Sequence, residues 1–225
     1  MSYLKKTCLF FLFAFPVLMF AQSENSQSGD SQGKNEVGMD ITYLTSSLLG
    51  SSGNDFGGSP SLSGVYQLTY RRHFDKFALR LGLGTYLNGE DDENDGNTLT
   101  SSSYRVDYRL GLEKALEISD KWNLFYGIDF RHSISEFNSQ WLNGEVLTNR
   151  TSSTNRFSLA PILGIEFRIA ERISLRTESN MSVFLLREEW KDQEEGNSDL
   201  TRDRVTNGFG ASVNAPDFLV LSFRF

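Results

Sequence analysis

Arg105, Asp107, Arg109 and Glu113 occupy alternate positions of one short stretch, and the same spacing returns in Asp129/Arg131, Glu166/Arg168 and Arg176/Glu178. Side chains two residues apart on an extended chain share a face, so each repeat sets guanidinium beside carboxylate. With Asp40, Arg71, Arg80 and Arg224 the set comes to eight arginines and six carboxylates. Such groups can lock together as a hydrogen-bonded, salt-bridged filling, or they can switch partners along a narrow ion path. A second constellation is Arg131-His132-Ser133-Ile134-Ser135-Glu136, which holds the residue types of a His-activated serine, with Glu136 or Glu145 to orient the imidazole. A third is the run Glu90, Asp91, Asp92, Glu93 and Asp95. Its oxygens suit Ca²⁺, but the twelfth place counted from Asp91 is Ser102, not a carboxylate. This stretch is therefore expected to be a solvated acidic loop, with no metal bound.

Composition removes several classes of chemistry. The 225 residues carry 22 basic and 29 acidic side chains, a formal net charge of −7, which argues against nucleic acid as a partner. Lys5 and Lys6, an apolar stretch from Cys8 to Phe20, then Ala21 and a polar run have the layout of a secretory leader spanning residues 1–21. Loss of that leader makes the charge more negative and removes Cys8, the one cysteine. The remaining chain then has no disulfide, thiolate metal site, cysteine nucleophile or lipid anchor. No feature asks for a cofactor. Only 39% of residues are hydrophobic, the mean hydropathy is −0.35, and no later apolar run approaches the roughly 20 residues of a membrane helix.

The elements that must position these groups are strands. Residues 22–36 lack periodicity and read as a flexible tail. From Val37 to Phe225 the chain alternates with period two in eight stretches, centred on residues 37–43, 62–71, 77–84, 104–113, 122–131, 157–168, 173–183 and 218–225. In each, one face is apolar or aromatic and the other holds the charges above, with glycine and serine. Trp122, Tyr43, Tyr66, Tyr70, Tyr104 and Tyr126 fall on the apolar face. Residues 74–76, 114–121 and 170–171 form short connections, whereas 44–61, 88–103, 135–155 and 187–214 form long polar ones. An even number of staves, apolar outside and polar inside, predicts an all-β, eight-stranded, antiparallel up-and-down transmembrane β-barrel. An eight-stranded barrel is just wide enough for side chains to fill.

The last stave, Phe-Leu-Val-Leu-Ser-Phe-Arg-Phe, places Leu219, Leu221, Phe223 and Phe225 on one face. Together with the leader, the eight alternating stretches and the uneven connections, it resembles the small eight-stranded outer-membrane barrels, similar to the membrane domain of outer-membrane protein A and related barrel-only proteins. That resemblance implies a monomer in the outer membrane of a Gram-negative cell, with the termini in the periplasm and the long connections outside. Its partners would be outer-membrane lipid, lipopolysaccharide and the barrel-assembly machinery, for which Phe223 and Phe225 would be the signal. It implies a structural or surface-binding role through the outer loops, with a small ion or solute channel as the alternative. Some such barrels deacylate lipid A with a His and a Ser one residue apart; here Ile134 stands in the serine's place, so no catalytic residue is expected, and a deacylase-like enzyme with His132 and Ser133 or Ser135 is the last of the alternatives.

Overall fold

The computed structural model describes residues 34–42, 66–94, 97–143, 146–194, 202–214 and 219–225. The expected leader, most of the tail, Tyr43 and residues 44–65 lie outside the described residues. The described residues form nine antiparallel strands in one sheet: β1 Asn35–Asp40, β2 Leu68–His73, β3 Ala78–Asn94, β4 Asn97–Ser119, β5 Trp122–Asn143, β6 Val146–Ala170, β7 Ile173–Glu194, β8 Arg202–Asn214 and β9 Val220–Arg224. Neighbours from β1 to β7 pair in sequence order, β7 pairs with β9, and β9 pairs with β1, closing a ring of eight. Backbone bonds between Asn35 and Phe225 seal the seam, with Asn35 N donating to Phe225 O at 3.1 Å and Phe225 N to Asn35 O at 2.8 Å.

The closing element is described as two strands on the same side of β7. β8 runs along β7 from Asn180 to Asp192, and β9 takes over against Ile173–Arg176. Residues 215–218 between them lie outside the described residues. The stave expected at residues 218–225 is therefore only the short-turn half of the closing element, and its other half lies in residues expected to form a loop.

The same correction holds for two other long connections. β3 and β4 stay paired out to Asn94↔Asn97, and β5 and β6 to Asn143↔Val146. Residues 88–103 and 135–155 are thus largely hairpin, not irregular chain. Alternation of apolar and polar residues marks a strand only where one face meets lipid. Stretches such as Thr98–Ser103 and Thr148–Thr154 keep residues that favour extended backbone but have no apolar face to reveal the period. At the other end one turn, between β4 and β5, is tighter than expected, and the other two are about as short as expected. β4 continues to Ser119 with a bulge after Glu117, leaving Asp120-Lys121 as the turn, and Phe74 N bonds Phe77 O at 2.8 Å to close the β2–β3 turn.

The ring is inside-out relative to a water-soluble domain. Leu110, Leu159, Leu163 and Val183 are 50–55% exposed on the outer face, whereas Arg80, Asp129 and Glu36 are at most 2% exposed inside. The outer apolar belt on β5 runs from Trp122, packed on Phe167 at 4.7 Å, to His132. At about 3.3 Å per residue and a tilt near 40°, this span rises about 25 Å, the height of a bilayer's apolar band. The 25-residue β6 is about 80 Å long, so much of it stands clear of that belt at the long-hairpin end.

Candidate functional site

The inward positions of all eight staves of the ring converge on one ion-pair network. Arg80 is its hub: Nη1 donates to Glu113 at 3.1 Å, Nη2 to Glu178 at 2.5 Å, and Nε lies 3.3 Å from Asp129. Arg109 bonds Glu178 at 2.9 Å and Arg131 bonds Asp129 at 3.0 Å. Toward the short turns, Glu113 also accepts from Arg176 at 3.0 Å and from Arg71 at 3.1 Å, and Glu166 lies 3.3 Å from Arg71 and 3.4 Å from Arg176. Arg224 reaches Glu166 at 3.7 Å. Every carboxylate here faces at least two guanidiniums, which offsets part of the desolvation that burial imposes on each charge.

Of the fourteen interior residues expected from sequence, ten join this connected network: Arg71, Arg80, Arg109, Glu113, Asp129, Arg131, Glu166, Arg176, Glu178 and Arg224. Arg105 and Asp107 form a separate pair at 2.8 Å, nearer the long hairpins, with the Arg105 side chain 42% exposed. Asp40 is used differently. Its Oδ1 accepts from the backbone N and hydroxyl of Thr42 at 2.8 and 2.6 Å, and the same hydroxyl accepts from Leu219 N at 2.7 Å, so Asp40 braces the β1–β9 seam. Arg168, beside the β6 bulge, makes no ion pair among the described residues, and its Nε has no hydrogen-bond partner.

Two interior residues escaped the sequence pattern. Glu36, assigned to the tail, is the second residue of β1 and 1% exposed; it pairs with Arg71, with His73 at 3.0 Å and with Arg224 at 3.4 Å. Its apolar neighbour Val37 marked the strand's start, but the pairing Glu36↔Arg224 begins one residue earlier. Tyr66, expected on the lipid face, is 8% exposed inside, with the Arg109 and Arg131 guanidiniums 4.4 and 5.7 Å from its ring. The reversal comes from Gln67. Its side-chain amide donates to Thr85 O at 2.5 Å and accepts from Thr85 N at 3.2 Å, standing in for a backbone rung, while its own backbone bends. The alternation slips there, and Tyr66 swings under the arginines.

Glycines make room for the large groups. A Cβ at Gly164 would collide with the ring of Phe125, which is 1% exposed and has the Arg176 guanidinium 3.7 Å from its centroid. A Cβ at Gly111 would collide with Asp129, and one at Gly82 would stand 2.8 Å from Arg109 Nε. The polar interior is therefore packed, at these positions, by pairing a side chain on one stave with a vacancy on the next.

The remaining candidates do not assemble comparable sites. His132 points outward, its ring stacked on Phe157 at 4.2 Å with 5° between planes and 6.3 Å from Tyr108. Ser133 and Ser135 take the opposite, inward phase, in register with Asp107 and Arg105. Glu136 is engaged by Tyr104 at 2.9 Å and Asn138 at 3.1 Å. Glu90 and Asp91 lie on the β3–β4 ladder, and Asp95 lies outside the described residues. Among the described residues, no group of three or more His, Cys, Asp or Glu side chains is arranged to hold a metal ion.

A family model described as outer membrane protein beta-barrel domain matches residues 12–214. No curated protein matches the chain. Among solved structures, the ferric yersiniabactin uptake receptor FyuA from Yersinia pestis is similar, with 12% identity and a TM-score of 0.45 over 65% of this chain and 23% of the receptor. The chain thus corresponds to less than a quarter of that receptor's length.

Proposed function

The chain belongs to the outer membrane protein β-barrel domain family, and from that premise we propose that it is a closed, non-catalytic outer-membrane barrel whose recognition is done by its long hairpins. The filled centre carries this reading. Arg80, Asp129, Glu36 and Phe125 are the largest fully buried side chains, and they occupy the space through which a solute would have to pass. The hairpins offer a surface suited to binding. Phe137 and Trp141, on the inward phase of β5, are 40% and 53% exposed, and aromatic groups of this kind are favoured anchors for partners.

In this reading the three short turns face the periplasm, with both termini, and the hairpins face outward, following the usual asymmetry of such barrels. Residues 1–21 act as the leader, Phe223 and Phe225 as the mark read by the assembly machinery, and the barrel works as a monomer among lipid and lipopolysaccharide. Planar-bilayer recording on the purified barrel tests the closed centre. The expected trace shows no discrete openings at physiological voltages. Openings whose amplitude changes in Arg80→Gln or Asp129→Asn would instead make it a narrow channel.

A further inference from the structure

We propose that the inner wall at the hairpin end of the barrel, beyond the ion-pair network, holds an anion site built around Arg156, and that it takes the phosphate monoester group of a soluble molecule. Arg156 is an inward residue of β6, in register with Ser133 on β5, which in turn faces Asp107 on β4. One inward step along β5 toward the short turns is Arg131, and one step toward the hairpins is Ser135, which faces Arg105. Diagonal neighbours on adjacent strands lie about 7–8 Å apart, within reach of long side chains. Three guanidiniums from three staves therefore fan around two serine hydroxyls.

Charge does not balance here as it does in the network. Among the described residues Arg156 makes no ion pair, and Glu188, the inward acid of β7 two places beyond its register partner Leu186, does not reach it. The charges that act on Arg156 are first the like charges of Arg131 and Arg105, and only then Asp107. Asp107 is held by Arg105 at 2.8 Å, and Asp129, which answers Arg131, is shared with Arg80 and Arg109. Arg156 is nonetheless fixed in place. Its guanidinium lies 3.7 Å from the centroid of Phe184, and Gly210, opposite Phe184 on β8, leaves the room that this ring needs, since a Cβ there would stand 2.6 Å from it. Stacking uses the face of a guanidinium and leaves the N–H donors around its edge free. Arg131 adds a buried Nε with no hydrogen-bond partner. A phosphate monoester brings up to two negative charges and three strong acceptor oxygens, which can meet donors from several sides. A carboxylate offers two oxygens and one charge, so it would leave part of this cluster unanswered.

The site rests on the reading that recognition takes place at the hairpin end, and it gives that end a ligand chemistry. The test is isothermal titration calorimetry of the folded barrel in detergent and phosphate-free buffer, with phenyl phosphate, phenyl sulfate, benzoate or phenol as the probe. The expected result is one-to-one binding of phenyl phosphate, weaker binding of phenyl sulfate and benzoate, and none of phenol. Arg156→Gln should weaken phenyl phosphate roughly tenfold, and Arg156→Lys should restore part of the loss by returning the charge without the fork. Arg187→Gln, which removes an exposed cation from the outer face, should leave the affinity unchanged. Heat-dependent gel migration checks that each variant is folded. Equal affinity for the three anions, no binding of any of them, or an unchanged affinity in Arg156→Gln would overturn the proposal. Discrete openings in planar bilayers alongside an intact phosphate titration would overturn the closed-barrel reading and leave the anion site standing.

Discussion

Arg80 shows how one side chain can organise a membrane protein's interior. Its guanidinium meets Glu113, Asp129 and Glu178 at once, and none of these is more than 4% exposed. Arg80→Ala should therefore cost far more than the loss of one surface contact, because three carboxylates would compete for the cations that remain. Breaking a buried pair from one side costs about 3–5 kcal/mol. Urea unfolding of the barrel in lipid vesicles should show a loss of that size for Arg80→Ala, whereas Arg150→Ala, whose ion pair with Asp192 is exposed, should change stability by at most about 1 kcal/mol. Comparable losses in the two variants would mean that the network does not act as a core. At this scale the alternating arginines and acids were legible from sequence because a two-residue spacing assigns a face. Glu36 and Tyr66 were not, since one lies at a strand's first rung and the other beyond a bend whose missing backbone rung is supplied by Gln67.

The strands divide into a part fixed by lipid and a part fixed only by its partner. Near the short turns an apolar outer face and a charged inner face hold the register, and a one-residue slip would invert both. Beyond the belt, the β5–β6 ladder continues through Phe137↔Ser152 to Asn143↔Val146 without a lipid face to enforce it. Replacing residues 138–151 by a two-residue Asn-Gly turn should therefore leave assembly intact. The trimmed protein should still migrate faster unboiled than boiled on a gel, with its urea midpoint little changed. Loss of the heat-shifted form would mean that the hairpin helps to close the barrel. The strands inside the belt were readable because burial imposes a period on them. The extensions read as loops in the sequence because solvent on both faces removes the hydrophobic contrast, while Thr, Ser and aromatic residues still pair as strand.

For the whole molecule, ring closure joins segments far apart in the chain: Glu36 pairs with Arg224 and Val37 with Phe223 across the β1–β9 seam. The proposed orientation, with the short turns in the periplasm, can be tested with the chain's single native cysteine, Cys8, replaced by serine. Gln140→Cys on the long hairpin should react with a membrane-impermeant maleimide on intact cells, and Asp120→Cys in the short turn only after the outer membrane is permeabilised. Labelling of Asp120→Cys alone on intact cells would invert the assignment. The amino-acid sequence by itself determined the architecture, because a strand crossing lipid must show an apolar face at every second residue and can satisfy its backbone only in a closed ring. It also determined which staves carry the charges. Tertiary structure decided which charges meet, since Arg80 and Glu178 lie 98 residues apart in the chain and come together only when the ring closes. It likewise decided that glycine vacancies on one stave accept Phe125 and Asp129 from the next, because that fit depends on the inter-strand register, which no single strand's pattern contains.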